Sequence, residues 1–258
     1  SVGIIKNKGL INFLEGIFKW FYNQFDHILL GSESFKEFAQ KRVDLNKTLY
    51  FPNWADLVFE SQKPIKRIFD SSKKVIISYA GNIGQAQDFE ILVQAVKLSK
   101  SKNYEIRLIG DGRAKEFLKR LVSSEGLYDQ IKFYDSIDSK NLLEFFERSD
   151  FLYLSLNDSP LFSKTVPAKF QTYLATGTPI IALISGETNS LINENNLGFT
   201  SNAGDANTLS KIFDGLSNIQ DAQYQKMKSS CKELYKNRFA SFLRKKDLMS
   251  LIINFNNN

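Results

Sequence analysis

From Lys74 onward the sequence alternates short apolar runs with amphipathic segments, and this alternation restricts the fold more than any other feature. Apolar runs joined by connections of helical length predict parallel strands that are covered on both faces. The predicted strands are 75–79, 104–109, 131–134, 151–156, 179–184 and 198–200, and the predicted helices are about 88–100, 113–125, 139–148, 167–176, 187–195 and 205–217. The prediction is an α/β fold with a doubly wound, six-stranded parallel sheet, whose ligands bind beyond the carboxyl ends of the strands.

Composition narrows the class of protein. A chain of 258 residues that is 43% hydrophobic and 24% charged can bury a full core, which argues against disorder. The single cysteine, Cys231, excludes a disulfide framework and fits a reduced, cytosolic setting. No run approaches the ~20 apolar residues of a membrane span, and the start does not resemble a signal peptide. We expect a soluble, cytoplasmic chain, and the first residue, Ser1, predicts that it is cut or processed.

The charge pattern bears on partners and cofactors. A net charge of +6 suits anionic partners such as nucleotide diphosphates or an acidic membrane surface, and a solvated basic face explains it equally well. No nucleic-acid recognition motif is present, so no such partner is expected. The sequence has no Asp-x-Asp motif and no cluster with metal-ligand spacing, so we expect neither a metal nor another cofactor. His27, the only histidine, is interpreted as structural rather than as a general base.

The segment 162–182 reads as a loop, a helix and a buried strand. Pro167 opens the helix and a glycine ends it. The amides predicted to be free at the helix start are those of Ala168, Lys169 and Phe170. These amides lie at the positive end of the helix dipole, and the two lysines Lys164 and Lys169 are close in sequence. This combination predicts an anion site.

The same segment resembles the signature helix of the group 1 (family 4) retaining glycosyltransferases, which have the two-domain GT-B fold with Rossmann-like domains. The nearest resemblance is to the L-fucosamine-transferase type of bacterial O-antigen and capsule transferases. In that type a Pro-Ser-Lys run is followed by Glu-Tyr-Leu-Ala-x-Gly-x-Pro. Here the two runs are Pro167-Ala168-Lys169 and Thr172-Tyr173-Leu174-Ala175-Thr176-Gly177-Thr178-Pro179. The resemblance implies that this helix end holds the diphosphate of a nucleotide sugar.

Two positions depart from the general family pattern. Family members carry glutamates at the positions of Lys164 and Thr172, of which the first contacts the sugar and the second the ribose. The fucosamine-type branch lacks the first glutamate, whereas the threonine at the second position implies weaker ribose binding. From this segment the resemblance implies six donor-binding residues, which are Lys164, Thr165, Val166, Ala168, Lys169 and Thr172.

A glycine-containing turn, Gly81-Asn82-Ile83-Gly84-Gln85, joins the first strand of the predicted sheet to its helix. Glycines there let the backbone approach a phosphate, although a plain tight turn also explains them. Many family members carry Arg and Lys where this chain has Asn82 and Gln87, so more of the charge must come from Lys164, Lys169 and backbone amides. The expected donor-binding residues of this turn are Gly81, Asn82, Gly84 and Gln85.

Two later strand ends complete the predicted donor site. The resemblance places Asp111, in Gly110-Asp111-Gly112, beside the nucleotide, and Tyr134 beside the uracil base. A capped loop and a core tyrosine explain these two residues equally well. No catalytic residue is identified, because the resemblance implies that the family's catalytic histidine belongs to the acceptor domain, most of which is expected to be missing here.

The start of the chain resembles the end of an acceptor domain. A helix with a heavy aromatic load is predicted over 10–25, a strand over 27–30, and a helix over 33–41 that is capped by Ser32. The segment Pro52-Asn53-Trp54-Ala55-Asp56 resembles the family's crossing from acceptor to donor domain. The predicted organisation is therefore an acceptor-domain (N-terminal) remnant with its linker at 1–53, a nucleotide-sugar-binding domain at 54–220, and a helix at 221–258 that crosses back.

The resemblance therefore implies the donor half of a retaining, metal-independent transferase that uses a UDP-sugar of the N-acetylhexosamine type in lipopolysaccharide or capsule synthesis. The expected partners are the nucleotide-sugar donor, a lipid-linked or saccharide acceptor, and the missing N-terminal domain or a separate acceptor subunit. The aromatic helix over 10–25 is interpreted either as a core-facing helix or as a surface helix that contacts a partner or, peripherally, the inner face of the membrane.

Three alternatives stay open at this point. The chain is a donor-binding subunit of a two-component enzyme, or an inactive nucleotide-binding module, or a dinucleotide-binding dehydrogenase domain. The last alternative matches poorly, because Gly81-x-x-Gly84 lacks the full glycine fingerprint.

Overall fold

The computed structural model describes residues 7–61 and 68–255. The first part contains helix α1 (Lys8–Asn23), strand β1 (Ile28–Leu30), a 3₁₀ turn (Glu33–Phe35) that leads into α2 (Lys36–Ala39), strand β2 (Thr48–Tyr50) and α3 (Leu57–Glu60). The second part contains β3 (Val75–Ala80), α4 (Phe89–Leu98), β4 (Tyr104–Ile109), α5 (Lys115–Ser124), β5 (Ile131–Tyr134), α6 (Ser139–Glu147), β6 (Phe151–Ser155), α7 (Ala168–Thr176), β7 (Ile180–Leu183), α8 (Glu187–Glu194), β8 (Gly198–Ser201), α9 (Ala206–Gly215), α10 (Asp221–Leu234) and α11 (Ser241–Phe255).

The centre of the second part is a six-stranded sheet of order β5-β4-β3-β6-β7-β8, in which every neighbouring pair is parallel. The chain winds outward from β3 to β5 and then returns to β6, so the winding direction reverses between β3 and β6. This confirms the predicted doubly wound, Rossmann-like sheet. The loops that follow β3 and β6 leave the sheet side by side, at the crevice where such folds bind ligands.

Helices cover both faces of this sheet. Leu92 of α4, Leu118 of α5 and Phe213 of α9 are buried on one face. Phe146 of α6 and Phe170 of α7 are buried on the other. Strands that are covered on both faces need apolar residues at successive positions, which is why the sequence shows continuous apolar runs here.

The first part of the chain is built differently. Strands β1 and β2 pair in parallel with each other and form a separate two-stranded sheet. Helix α1 is confirmed close to its predicted bounds, but none of its residues is buried, and Phe13 and Trp20 are each 66% exposed. This part therefore has an apolar helix with little of the cover that apolar side chains need.

The predicted cap of the helix after β1 is wrong. Ser32 makes no capping hydrogen bond, and the helix begins as a 3₁₀ turn and is shorter than expected. The Ser32 hydroxyl donates instead to the carbonyl of Lys164 at 2.5 Å. The amides of Glu33 and Ser34 donate to the carboxylate of Glu187, at 3.1 and 2.7 Å. A distant acidic side chain has taken the role that sequence reasoning assigned to the local serine.

The C-terminal helices return to the first part of the chain. Helix α10 continues through a π-helical turn (Tyr235–Phe239) into α11. Arg238 donates to the Tyr50 hydroxyl at 3.2 Å, and the amide of Ser241 donates to Glu60 at 3.0 Å. These contacts tie the start of α11 to the region around β2 and α3. Residues 1–6 and 256–258, at the two ends of the predicted domains, lie outside the described residues.

Candidate functional site

The loops that follow β3 and β4 pack backbone against backbone. Gly81 N donates to Ile109 O at 2.9 Å, and Ile83 N donates to Asp111 O at 2.7 Å. Gly110 has a φ of +139°, and a Cβ at this residue would lie 2.0 Å from Gly81 O. Glycine at 110 is therefore required for the close approach of the two loops, which in turn fixes the position of Gly81 at the crevice.

Side chains within the first loop hold its shape. Gly84 N donates to the side chain of Gln87 at 3.1 Å, and residues Gln85–Gln87 form a 3₁₀ turn. Asn82 is exposed, and its side-chain amide lies against Gly84. A Cβ built on Gly84 would come within 2.6 Å of Asn82 Nδ2. The Tyr79 hydroxyl, from the end of β3, donates to Asn82 O at 2.7 Å. The loop is thus held from both sides.

Lys169 reaches from the start of α7 to this loop. Its Nζ lies 5.1 Å from the centroid of the Tyr79 ring. A Cβ built on Gly81 would lie only 2.8 Å from the same Nζ. Burial lowers the pKa of Lys169, and no charged group in the described parts of the chain contributes to that shift. The structure therefore brings two predicted residues together, with a partly buried ammonium group beside the glycine turn.

The start of α7 supplies backbone donors. Pro167 is the N-cap, and Phe170 N already donates to Pro167 O at 2.8 Å, so the prediction of a free Phe170 amide is wrong. The amides of Ala168 and Lys169 have no acceptor among residues 7–61 and 68–255. Ala168 is exposed. Two free amides and one ammonium group are thus available at one helix end for an anion.

Lys164 lies elsewhere. Its ammonium group forms an ion pair with Glu37 of α2 and lies 5.5 Å from the centroid of the Phe38 ring. The hydrogen bond from Lys164 is the main reason that the pKa of Glu37 is lowered. The structure therefore places the Lys164 ammonium group against α2, in the first part of the chain.

The other predicted residues of this segment have mixed surroundings. The Thr165 carbonyl accepts from the Thr188 hydroxyl at 3.1 Å, and Val166 is buried. The Thr172 hydroxyl donates to Ala168 O at 3.3 Å. Because Thr172 lies one turn after Ala168, it is on the helix face that leads to the free amides.

Asp111 and Tyr134 stand at the neighbouring strand ends. Asp111 is exposed and its carboxylate accepts from Gly112 N at 2.8 Å. The Tyr134 ring packs edge to face against Phe145, with centroids 5.6 Å apart, and its carbonyl accepts from Gly110 N at 3.2 Å. Both residues therefore adjoin the loops that position Gly81.

Sequence reasoning missed two residues of this region. Tyr79 supports both the glycine turn and Lys169, but it looks like any residue of a buried strand. Glu187 begins α8 directly after Gly186. A Cβ built on Gly186 would lie 1.8 Å from Ser163 O. A glycine followed by an acidic residue does indicate a helix start, but its distant partners leave no trace in the local sequence.

Some chemistry is not found in the described parts of the chain. Within them no group of His, Cys, Asp and Glu side chains is arranged to hold a metal ion. Among the helices described there, none combines the length and apolarity that crossing a membrane requires. Cys231 is buried, and burial raises the pKa of its thiol, so it is not a reactive group.

The fold and the site define a class of α/β domains that bind ligands at the carboxyl ends of parallel strands, next to the switch in winding direction. Residues 61–234 match the family described as glycosyl transferases group 1, and the chain belongs to this family.

One curated relative is "Probable glycosyltransferase WbjE" of Pseudomonas aeruginosa, which is 22% identical over 224 residues. The match covers 82% of this chain and 55% of the relative, so the chain spans about half the length of that protein.

Solved structures show the same fold. Sucrose-phosphate synthase of Thermosynechococcus elongatus has a TM-score of 0.76 at 16% identity, covering 99% of this chain and 63% of its own. Anabaena HepE in complex with UDP and glucose has a TM-score of 0.69 at 15% identity, covering 93% and 66%. TarM of S. aureus, in a complex that includes UDP, has a TM-score of 0.71 at 13% identity, covering 89% and 44%. The α/β fold of this chain is that of GT-B glycosyltransferases.

Proposed function

We propose that this chain is the donor-binding half of a retaining glycosyltransferase, which transfers a sugar from a UDP-sugar without a metal ion. The observation that carries the proposal is the ammonium group of Lys169 beside Gly81, next to the free amides at the start of α7. A nucleotide diphosphate is an anion whose two linked phosphates can contact a helix end and a neighbouring glycine turn at the same time. Membership of the group 1 family supports this assignment.

In this proposal the chain acts mainly on the leaving group. Negative charge develops on the β-phosphate as the bond to the sugar breaks. The amides of Ala168 and Lys169 and the Lys169 ammonium group stabilise that charge. Because these donors are held by α7 and by the packed loops, little reorganisation is needed when the charge develops.

The remaining predicted residues take supporting roles in the proposal. Asp111 and Tyr134 are proposed to border the nucleoside, and Asn82, Gly84 and Gln85 the diphosphate. The hydrogen bonds from Ile83 N to Asp111 O and from Gly110 N to Tyr134 O support this, because they link the three strand ends. Of the segment before α7, Lys164, Thr165 and Val166 are proposed to border the sugar through their backbone, since the Lys164 ammonium group is paired with Glu37 and Val166 is buried.

Thr172 is proposed to contact the ribose. Its hydroxyl already donates to Ala168 O, so it can only accept from a ribose hydroxyl. A glutamate at this position would offer a charged acceptor, which makes a stronger hydrogen bond. The threonine therefore accounts for a weaker ribose contact.

We assign the chain to the L-fucosamine-transferase type, with an N-acetylhexosamine donor and a role in bacterial lipopolysaccharide or capsule synthesis. The runs Pro167-Ala168-Lys169 and Tyr173-Leu174-Ala175 support this assignment, and the similarity to WbjE, a probable glycosyltransferase, supports the broader class of enzyme. The acceptor is a lipid-linked or free saccharide, and the setting is the cytoplasm, at the inner face of the membrane.

The domain proposal is 1–53 as an acceptor-domain remnant, 54–220 as the donor domain, and 221–258 as the returning helix. A separate two-stranded sheet is too small to be stable alone. A cavity of about 680 Å³ lies between α1, β1 and α2, and its lining is mostly apolar. A missing N-terminal domain or a separate acceptor subunit would cover this region, and the outward side of α1 with Phe13 and Trp20 would contact the membrane.

A second candidate is a nucleotide-binding module without activity of its own, or a donor-binding subunit that needs a partner chain. The engaged hydroxyl of Thr172 and the incomplete two-stranded sheet favour this candidate over a self-sufficient enzyme. Both candidates predict UDP binding, and only the first predicts transfer once the missing part is supplied.

Calorimetric titration with UDP, UDP-GlcNAc and NAD tests the proposal. We expect binding of UDP and UDP-GlcNAc, no binding of NAD, and a large loss of UDP affinity in Lys169→Ala. The matched control is Lys211→Ala, which removes an exposed lysine from α9 on the other face of the sheet and should bind UDP normally. Binding of NAD without UDP, or equal UDP affinity in both variants, would contradict the proposal.

A further inference from the structure

One short turn of the first part of the chain, residues 32–37, contacts the loops that follow β6 and β7. The Ser32 hydroxyl donates to Lys164 O, and Ser32 is completely buried. The amides of Glu33 and Ser34 donate to the two carboxylate oxygens of Glu187. The carboxylate of Glu37 pairs with the Lys164 ammonium group. We name this set of contacts the dock.

Glu187 is the central member of the dock. The 3₁₀ turn Glu33–Phe35 has no side-chain cap of its own, so its first amides need an acceptor from elsewhere. Both oxygens of the Glu187 carboxylate are used for this, and hydrogen bonds from amides to a carboxylate are stronger than those between neutral groups. The Glu37–Lys164 pair is more exposed, with 68% and 25% of the two side chains accessible, and contributes less.

The dock bears on the loop that leads into α7. From the side of α8, Thr188 donates to Thr165 O, and Gly186 packs closely against Ser163 O. From the other side, Ser32 binds Lys164 O. Three consecutive carbonyls of this loop are therefore contacted by α8, its preceding glycine and the dock. The same loop ends at Pro167, directly before the free amides.

We infer that Glu187 is a positioning residue: by docking residues 32–37 onto the loop before α7, it fixes the free amides for the diphosphate. This inference rests on the proposed function, because it assumes that the diphosphate of a UDP-sugar binds at those amides. Docking and donor binding are then coupled, and coupling is reciprocal. UDP must stabilise the dock by the same factor by which the dock strengthens UDP binding.

Amide hydrogen exchange of the whole chain with and without UDP tests this coupling. We expect UDP to slow exchange at Glu33 and Ser34. In Glu187→Gln, which keeps the size of the side chain but loses one acceptor oxygen, UDP affinity should fall by about fivefold or more. Glu194→Gln is the matched control, since Glu194 is an exposed acid on the same helix, and it should behave as the wild type.

The folded state of each variant is checked by exchange at the β3 and β7 amides, which should stay protected. If Glu187→Gln binds UDP as the wild type does, or if UDP leaves exchange at Glu33 and Ser34 unchanged, the inference is wrong. If UDP affinity is still lost in Lys169→Ala in that case, the proposed function stands and only the positioning role of Glu187 is wrong. A wild-type chain that binds no UDP would overturn both.

Discussion

Helices α7 and α1 are both rich in apolar residues, yet they are used in opposite ways. Of the nine residues of α7, five are buried, whereas none of the sixteen residues of α1 is. Helix α7 lies on a six-stranded sheet and also packs against α10. Helix α1 borders a cavity of about 680 Å³. The difference teaches that the apolar face of α7 is covered within the described chain, whereas the apolar side chains of α1 are left accessible.

The largest difference in stability is expected when one aromatic ring is removed from each helix. Phe170→Ala in α7 deletes a fully buried ring and should cost about 3–5 kcal/mol of unfolding free energy. Phe13→Ala in α1 removes an exposed ring and should change stability by less than about 0.5 kcal/mol. Urea denaturation of both variants measures the difference. Equal losses would contradict the view that α1 lacks cover.

The next test concerns the ammonium group in the crevice. Lys169→Met should weaken UDP binding by roughly 10-fold to 100-fold, because hydrogen bonds that involve a charged group contribute about 1.5–3 kcal/mol. The same variant should be more stable than the wild type, because burial lowers the pKa of Lys169 and so disfavours its charged form in the folded chain. Calorimetry and thermal melting measure the two effects.

In the wild-type protein, UDP affinity and stability should change in opposite directions as the pH rises. UDP affinity should fall as pH rises through the lowered pKa of Lys169, since the anion needs the protonated form. Stability without UDP should rise over the interval from that lowered pKa to the ordinary lysine value, because the unfolded chain then binds more protons. Lys169→Met should lose both trends, and retention of either would refute the assignment.

A pair of glycine substitutions gives the third contrast. Gly110→Ala places a Cβ against Gly81 O at a φ of +139° and should destabilise the chain by about 1–3 kcal/mol, with weaker UDP binding. Gly16→Ala lies in α1, where a Cβ meets nothing within 4 Å, and should stabilise by about 0.5–1 kcal/mol. Relative to the wild type, the denaturation midpoint should fall in Gly110→Ala and rise in Gly16→Ala. A loss of stability in Gly16→Ala would mean that this helix is more tightly packed than described.

The smallest expected effect concerns the ribose. Thr172→Glu should tighten UDP binding by about fivefold, because a carboxylate replaces a hydroxyl that is already engaged with Ala168 O. Thr172→Gln has nearly the same size without the charge and serves as the control. Unchanged affinity in Thr172→Glu would show that the ribose does not bind at this helix face.

The sequence alone was sufficient to predict the sheet, and it also suggested the residues of the candidate diphosphate site. Continuous apolar runs predicted the six strands, and the Pro167 and Gly81 segments were each predicted to contact the diphosphate; the structure places Lys169 beside Gly81. Both follow from local patterns, namely strand burial and helix-end chemistry.

What the sequence left hidden was the choice of long-range partners. The Ser32 cap was expected from the local sequence. Instead, the carboxylate of Glu187, far away in the sequence, accepts hydrogen bonds from the amides of Glu33 and Ser34. Lys164 was expected at the diphosphate because of its neighbours in the chain, yet its ammonium group pairs with Glu37. Such pairings depend on how two parts of the chain are placed in space, and no local spacing encodes that placement.

The most direct test of the account is a crystal structure of the chain with UDP. We predict density for the two phosphates between Lys169 Nζ, the Gly81 turn and the amide of Ala168. Phosphates bound at another edge of the sheet, or a crevice that stays empty at saturating UDP, would contradict the central claim.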